Sequence, residues 1–149
     1  SVGTDWYEIK TVGANSPNVR ISSLAQLSSE HDGHLVIIRA ERMSDQFDNG
    51  EACVHDLFRY ILTVLNDETL EGIFLSKLSA FGYDISDESY TAKFDVKSMT
   101  SYKVSDGFPR ITEQDVQRVE ICDVSYSLII NALKRIIPTL WVSRKRTIL

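Results

Sequence analysis

Hydrophobic and polar positions alternate along four stretches of the chain, and this period of two predicts β-strands. The first stretch covers residues 5 to 12 and begins with "DWYEIKT", and the second is the short "NVRIS" at 18 to 22. The two longest are "AKFDVKSMTSYKV" at 92 to 104 and "VEICDVSYSLII" at 119 to 130. We expect these last two strands to pair as antiparallel neighbours.

A continuous apolar run has a different meaning from an alternating one. The segment "HLVIIRAER", 34 to 42, is apolar without a break from Leu35 to Ile38. This pattern is typical of a strand that is buried on both faces. Just before it, "SLAQLS" predicts a short helix that either Ser22 or Ser23 can cap.

The middle of the chain predicts two helices after a polar loop at 44 to 50. Apolar residues recur at three- and four-residue steps in 51 to 65, and the pattern repeats after "NDET", which supplies an N-cap. Gly82 stands at the position of a C-cap glycine. We expect both apolar stripes to face the core: Val54, Leu57, Phe58, Ile61, Leu62 and Leu65 in the first helix, and Leu70, Ile73, Phe74, Leu78 and Phe81 in the second.

The order of elements is therefore three strands, two helices and two strands. This order predicts the α/β (α+β) class, with a mixed central sheet flanked by helices. A chain of 149 residues has the length of one ordinary domain with a full core. We assign residues 1 to 130 to that domain and 131 to 149 to a basic C-terminal tail or helix. Ser1 lies almost inside the first strand, which suggests a fragment of a longer protein.

Charge and composition narrow the functional classes. The formal net charge is −5 and the pI is about 5.2, which argues against nucleic-acid binding by bulk charge. A nuclease remains compatible, because bound metal ions supply local positive charge. No apolar run is long enough to span a membrane and no signal peptide is visible. The isolated Cys53 and Cys122 indicate reduced, buried thiols in a cytoplasmic protein.

Candidate chemistry is concentrated in the first strand. On an extended segment Trp6, Glu8 and Lys10 share one face, which places a carboxylate and an ammonium roughly 7 Å apart along the strand. A Glu-x-Lys triplet is most often a surface ion pair. The alternative is a metal-dependent nuclease site, in which the carboxylate is a hard oxygen ligand for Mg²⁺ and the ammonium stabilises charge on a phosphate.

Six segments in this order resemble the PD-(D/E)XK family of restriction-type nucleases that are found among bacterial defence genes. They are "YEIKT", "VRISSLAQL", "HLVIIRAER", "SAFGY", "YKVSDGFPRI" and "DVSYSL", and the resemblance runs from about Trp6 to about Leu128. It implies a Mg²⁺- or Mn²⁺-dependent DNA endonuclease of a restriction or phage-defence system. The family also has an earlier helix and an aspartate-bearing strand. This chain starts too late to contain them, which implies an N-terminally truncated and incomplete site, and Asp5 is a poor substitute.

The resemblance also implies a role for individual residues. Glu8 and Lys10 would be catalytic with Gln26 as a third participant, and Glu8 and the Ile9 carbonyl would bind the metal. Double-stranded DNA would be the partner, together with defence-system proteins, and a homodimer is left open. The alternative function is a non-catalytic, nuclease-like interaction domain. Weak DNA contacts are assigned to Arg110, Arg144, Lys145 and Arg146, although a solvated surface or tail is the simpler interpretation of these four residues.

Three further residues receive structural interpretations. Phe108 is expected to pack on the core after a turn. Asp123 is expected to face solvent at a strand edge. His55 is placed on or near the polar side of the first helix and receives no role.

Overall fold

The computed structural model describes residues 5–29, 31–43, 53–135 and 138–139, with only the backbone given for 134, 135, 138 and 139. The strands are β1 (Trp6–Val12), β2 (Asn18–Ile21), β3 (Gly33–Arg42), β4 (Phe94–Val104), β5 (Tyr126–Ile129) and β6 (Pro138–Thr139). The helices are α1 (Val54–Val64) and α2 (Glu68–Ala80). Short 3-10 helices cover Leu24–Leu27, Glu88–Thr91 and Ile130–Arg135.

The described strands form a mixed main sheet, which confirms the predicted fold class. Its order is β1-β3-β4-β6, with β1 parallel to β3 and β4 antiparallel to β6. In this sheet β1 is an edge strand. Residues Glu8 and Lys10 lie opposite Leu35 and Ile37 of β3, so the candidate carboxylate and ammonium stand beside two of the most buried residues of the chain.

A second sheet covers the inner face of the main one. It consists of β2 and β5, with Val19 opposite Leu128 and Ile21 opposite Tyr126. The buried cluster takes residues from both sheets and from the 3-10 helix Leu24–Leu27, and Phe108 belongs to it as expected. Its members are Val19, Ile21, Leu27, Leu35, Ile37, Tyr102, Val104, Phe108, Leu128, Ile130 and Leu133.

The start of β1 is locked to the start of β3 by an indole ring. Trp6 and Gly33 are register partners, and a Cβ on Gly33 would lie only 2.1 Å from the ring of Trp6. The indole Nε1 donates a hydrogen bond of 2.8 Å to the carbonyl of His31. A larger residue at position 33 would force the indole of Trp6 to move, and this pairing belongs to the register that sets Glu8 and Lys10 opposite Leu35 and Ile37.

Two predictions about the strands are wrong. The stretch 119 to 130 is a strand only over Tyr126–Ile129, and that strand pairs with β2 rather than with β4. The alternation in 119 to 125 does not define a buried face, since Val119 is 98% exposed and Ile121 is 47% exposed. Leu128 finds a buried place because β2 presents Val19 opposite it.

The expectation that β3 is buried on both faces is also wrong. Leu35 and Ile37 are buried on the inner face, whereas Val36 and Ile38 on the outer face are half-buried. Tyr7 and Ile9 of β1 share this outer face and are 60% and 61% exposed. A shallow cavity of about 250 Å³ lies over these four side chains. In the described residues no element covers it fully.

The chain divides into two compact units. The first contains Ser1–Ala40 and Lys97–Leu149, and the second contains Glu41–Val96. The assignment of one domain to 1–130 and a tail to 131–149 stays a prediction. The first unit contains every residue of the buried cluster, and the second contains the two predicted helices.

The helices of the second unit lie close to the predicted positions, with α1 inside the predicted range of 51 to 65 and α2 between the cap in "NDET" and Gly82. Asp67 caps α2 by accepting a hydrogen bond of 2.9 Å from the backbone of Leu70. Gly82 follows the helix with φ of +79°, in the left-handed region that favours glycine. The expectation that both stripes face the core is wrong for much of their length, because Leu57, Leu70 and Ile73 are each at least half exposed.

Polar and aromatic groups form the buried centre of the second unit. His55 is 5% exposed, contrary to its placement on the polar side, and its Nδ1 lies 2.6 Å from the hydroxyl of Tyr83. Tyr90 and Phe58 pack on the same tyrosine ring. The rings of Phe58, Tyr83 and Tyr90 are themselves half-buried.

The two cysteines differ from each other. Cys53 is buried and its thiol donates a hydrogen bond to Asp56, while Cys122 is exposed, so the prediction of a buried thiol is wrong for Cys122. Asp123 is exposed as expected. None of the described helices is both long enough and apolar enough to cross a membrane. The predicted loop at 44 to 50 lies outside the described residues.

Candidate functional site

The inner face of β1 carries an ion pair in a partly buried setting. Lys10 Nζ lies 3.0 Å from Glu8 Oε1, and the two side chains are 18% and 23% exposed. The strand parity that the sequence predicts produces this arrangement, since Tyr7, Ile9 and Thr11 point to the opposite face and are exposed. Both charged groups are therefore held closer to the core than an ordinary surface pair.

Gln26 joins the pair from a different element. It lies in the 3-10 helix Leu24–Leu27, which Leu27 anchors in the core with no exposed surface. Its side-chain oxygen accepts one hydrogen bond of 2.9 Å from Lys10 Nζ and another of 2.8 Å from the backbone N–H of Ser22. The structure thus brings together all three residues that the sequence assigns to catalysis.

This bond corrects the expected cap of the short helix. Ser23 occupies the N-cap position, but its side chain makes no capping hydrogen bond. The amide of Gln26 instead reaches back to Ser22. The same oxygen therefore stabilises the turn and holds the lysine, which couples the shape of the loop to the position of the ammonium.

The arrangement provides a carboxylate, an ammonium and a neutral acceptor within hydrogen-bonding distance of each other. An ammonium has three N–H donors, and Glu8 and Gln26 accept from two of them. The third can serve another oxygen, such as that of a phosphate. A compact cation held in place in this way can stabilise negative charge that develops on a bound group.

The donor set fits one part of a divalent-cation site. Glu8 offers hard carboxylate oxygens, which Mg²⁺ prefers, and Mg²⁺ often takes one or two protein carboxylates plus substrate phosphates. Among the described residues there is no group of three or more His, Cys, Asp or Glu side chains close enough to hold a metal ion. The assignment of the Ile9 carbonyl to the metal stays a prediction. It is compatible with the position of β1, which is an edge strand in the sheet that the described residues form.

Asp5 immediately precedes β1, and its charge acts on Lys103, which pairs with Asp32 at 2.9 Å. The hydrogen bond and charge of Lys103 lower the pKa of Asp32, and the same contact raises the pKa of Lys103, to which Asp5 adds. By strand parity Asp5 falls on the opposite side from Glu8, and its part as a poor substitute for the missing aspartate stays a prediction.

Arg110 is attached to the backbone that carries Gln26. Its Nη1 donates a hydrogen bond of 2.7 Å to the carbonyl of Leu27, and the side chain is half-buried. This differs from the freely exposed arginine that the simpler interpretation assumes. The guanidinium also lines a polar surface cavity of about 420 Å³, whose other walls are Ser28, Ser29, Thr112, Glu113 and Gln114.

The other three predicted DNA contacts cannot be placed. Arg144, Lys145 and Arg146 lie outside the described residues. Sequence reasoning missed two partners of the site: the Ser22 amide and the link from Arg110 to Leu27. Neither leaves a signal in the hydrophobic pattern, because one partner in each bond is a backbone group that any residue has.

Comparison with protein families finds a match over most of the chain. A family model described as "Putative PD-(D/E)XK family member, (DUF4420)" matches residues 1–131. Comparison with curated proteins and with solved structures gives no significant match. The matched range contains β1 to β5, Glu8, Lys10 and Gln26.

Proposed function

Because this chain belongs to the PD-(D/E)XK-type family whose model matches residues 1–131, we propose that it hydrolyses double-stranded DNA with Mg²⁺ or Mn²⁺. The family resemblance supports a role in restriction or phage defence. The family match indicates a nuclease-like protein. The metal, the duplex substrate and the defence role are the proposed part.

One observation carries the proposal. Lys10 Nζ lies 3.0 Å from Glu8 Oε1 and 2.9 Å from the side-chain oxygen of Gln26. Glu8 is on the same strand as Lys10, whereas Gln26 comes from the 3-10 helix Leu24–Leu27, which Leu27 anchors in the core. An isolated surface pair would contribute only about 0–1 kcal/mol and would have no reason to recruit a third residue. The recruited amide supports the catalytic interpretation of the Glu-x-Lys triplet over the simple ion pair.

The roles follow from the chemistry of each group. Glu8, with the Ile9 carbonyl, would hold the divalent ion, which supplies an activated water and neutralises phosphate charge. Lys10 would donate to a phosphoryl oxygen and stabilise the charge that builds there. Gln26 would keep the ammonium in position, and it would accept from Lys10 without adding a negative charge that repels the substrate.

DNA would bind on the first unit. The sequence of that unit contains twelve Lys and Arg against nine Asp and Glu, a formal charge of +3, whereas the second unit has four against twelve, a formal charge of −8. Phosphates are attracted to the first and repelled by the second. Arg110 of the first unit is a proposed phosphate contact, together with Arg144, Lys145 and Arg146, which lie outside the described residues.

The test is cleavage of supercoiled plasmid by the chain in Mg²⁺ or Mn²⁺. Because Glu8 is the one carboxylate at the site among the described residues, we expect slow nicking rather than rapid linearisation. Glu8→Gln should abolish it while leaving the unfolding transition nearly unchanged, and Asp5→Asn is the matched control that should nick at the wild-type rate. Nicking that survives Glu8→Gln would remove the site assignment.

The second candidate is a non-catalytic interaction domain that assembles with defence-system proteins. The exposed apolar surfaces of α1 and α2 favour it. A chain that cleaves no DNA under any divalent ion but forms a stable complex with a protein partner would support this candidate. The homodimer stays a prediction.

A further inference from the structure

The second unit exposes an unusual amount of apolar side chain. A single exposed apolar residue is normal, but contiguous exposed apolar surface on a protein marks an interaction site. Phe81 is 88% exposed and Val64 is 60% exposed. The large apolar residues of this unit that are at least 40% exposed include Leu57, Tyr60, Val64, Leu70, Ile73, Leu75, Phe81 and Ile85.

Part of this surface forms a groove with a volume of about 440 Å³. Its apolar walls come from Phe58 of α1, Leu75 and Leu78 of α2, and Tyr83 and Ile85 after the turn at Gly82. We call it the helix groove. Leu75 and Ile85 are 40% and 54% exposed, so it is an open surface feature and not a closed cavity. Phe58 and Phe74 stack at 6.1 Å between the two helices, which holds their spacing fixed.

The charge of the unit identifies what kind of surface would fit. Its formal charge is −8, and Asp84 lies directly in the wall of the helix groove. The Asp84 carboxylate accepts hydrogen bonds from the hydroxyl and the backbone N–H of Ser86, and these bonds lower its pKa and keep it ionised. Nucleic acid is repelled by this charge, and so is an acidic peptide.

We propose that the helix groove binds a basic amphipathic helix of a protein partner. Apolar side chains at i, i+3, i+4 and i+7 of such a helix would enter between Phe58, Leu75 and Ile85. Its Lys and Arg residues would be attracted by Asp84 in the groove wall and by the net negative charge of the unit. This is the helix-in-groove mode of recognition, in which the apolar face supplies affinity and complementary charge supplies specificity and a fast association rate.

The proposal does not depend on cleavage of DNA. The helix groove and Asp84 belong to the second unit, whereas Glu8, Lys10 and Gln26 belong to the first. A chain with a dead nuclease site would still bind the partner helix. A chain that binds no helix could still nick plasmid, so the two experiments fail independently.

The probe is an amidated peptide of about 18 residues, long enough to form a helix, with Leu at helical spacing and Lys elsewhere. The matched peptide has the same leucines and Glu in place of Lys. Binding to the 149-residue chain is measured by fluorescence anisotropy at two salt concentrations. We expect saturable binding of the Lys peptide, at least tenfold tighter than the Glu peptide, with a helical circular-dichroism signal that grows on binding.

Two variants test the location. Leu75→Ala should weaken binding about tenfold, as truncation of a central apolar contact does. Its control is Val119→Ala, which shortens a side chain that is 98% exposed in the first unit and should leave binding unchanged. Asp84→Asn should weaken binding severalfold while its amide oxygen still accepts from Ser86, and Asp67→Asn, a conservative change at the cap of α2, is the control.

Each outcome decides the proposal. Selective binding of the Lys peptide that both groove variants weaken and both controls retain supports it. Equal binding of the two peptides, or binding that Leu75→Ala and Asp84→Asn leave intact, overturns it. Sedimentation is run in parallel: a dimer of the chain that Leu75→Ala dissociates would assign the groove to a second copy and also overturn the partner helix.

Discussion

The ammonium of Lys10 lies 2.9 Å from the side-chain oxygen of Gln26, a residue sixteen positions further along the chain. The same oxygen is held by the Ser22 amide, so the acceptor that restrains the lysine is itself restrained by its own turn. Together with Glu8 at 3.0 Å, this fixes the ammonium from two sides. A group held in place before a ligand arrives loses less entropy on binding and stabilises charge more effectively.

Replacement of Lys10 by arginine separates the two interpretations of the Glu-x-Lys triplet. Arginine keeps the charge but presents a planar fork in place of a compact ammonium. If Lys10 contacts a phosphoryl oxygen, Lys10→Arg should retain DNA binding and lower the cleavage rate on the order of a hundredfold. Single-turnover cleavage at saturating protein measures this.

The same variant would behave differently if Lys10 were only half of a structural ion pair. Such pairs contribute about 0–1 kcal/mol and tolerate the change to arginine. A cleavage rate close to that of the wild type would therefore identify Glu8 and Lys10 as an ordinary pair. Lys103→Arg, in the pair with Asp32, is the matched control and should leave both cleavage and stability unchanged.

Gln26 provides a second prediction, which concerns stability. Gln26→Ala removes the acceptor of two hydrogen bonds. Each lost bond should lower the free energy of unfolding by about 1 kcal/mol. Gln26→Glu keeps an acceptor and adds attraction for Lys10, so its free energy of unfolding should be equal to that of the wild type or higher. Denaturant unfolding compares them.

The control is Gln117→Ala, at an exposed position of the first unit. If Gln117→Ala destabilises the chain as much as Gln26→Ala, the two hydrogen bonds of Gln26 add nothing to the effect of any Gln→Ala substitution. Cleavage should show the opposite order for the charged variant: Gln26→Glu should cleave more slowly than the wild type, since a second negative charge would oppose the phosphate.

The local period of the sequence predicts much of the fold. Alternation places Glu8 and Lys10 on the same face of β1, and helical spacing predicts α1 and α2 with nearly correct ends. Both patterns are local, because each depends only on residues that are close together in the sequence. The expectation that Gln26 joins Lys10 in the site rests on the family resemblance alone, because no local rule connects a strand with a turn sixteen residues away.

What the sequence does not predict depends on which surfaces meet. The alternation in 119 to 125 resembles that of Tyr126–Ile129, yet only the latter pairs with β2, because Val19 and Ile21 offer a buried face there. The stripe of α2 looks like a core stripe, yet Leu70 and Ile73 are exposed. A hydrophobic pattern shows that a face can be buried and does not identify the partner that covers it.

Arg110 provides a third prediction, in which position and charge can be separated. Arg110→Ala removes the donor to the Leu27 carbonyl and should loosen the 3-10 helix Leu24–Leu27. Amide exchange at Gln26 and Ser28 should then accelerate, while Arg118→Ala, at an exposed position, should leave it unchanged. Hydrogen-exchange mass spectrometry or NMR provides the measurement.

A phosphate contact by Arg110 has a separate signature. Loss of one contact reduces the slope of log affinity against log salt by about 0.9 for duplex DNA. Arg110→Lys should preserve part of this slope, because a charge remains. Faster exchange with an unchanged salt slope would leave Arg110 as a positioning residue for Gln26 and exclude the phosphate contact.

The hydrogen bond between His55 and Tyr83 provides the last prediction. His55 is 5% exposed and its Nδ1 lies 2.6 Å from the tyrosine hydroxyl, so Tyr83→Phe leaves a buried ring nitrogen without this partner. We expect a loss of about 1–3 kcal/mol in the free energy of unfolding, the usual cost of an unsatisfied buried polar group. Tyr60→Phe, at a position that is 58% exposed, should cost much less.

The pH dependence of the same variant gives an independent check. Desolvation by burial raises the pKa of Tyr83, so the folded state keeps the hydroxyl proton more strongly than the unfolded state does. The contribution of this group is fully present below the ordinary tyrosine pKa of about 10 and is lost as pH rises above it. Between roughly pH 9 and 11, the stability of the wild type should therefore fall more steeply than that of Tyr83→Phe. Parallel curves would show that the pKa of Tyr83 is the same in the folded and unfolded states, and that burial of its hydroxyl does not affect its titration.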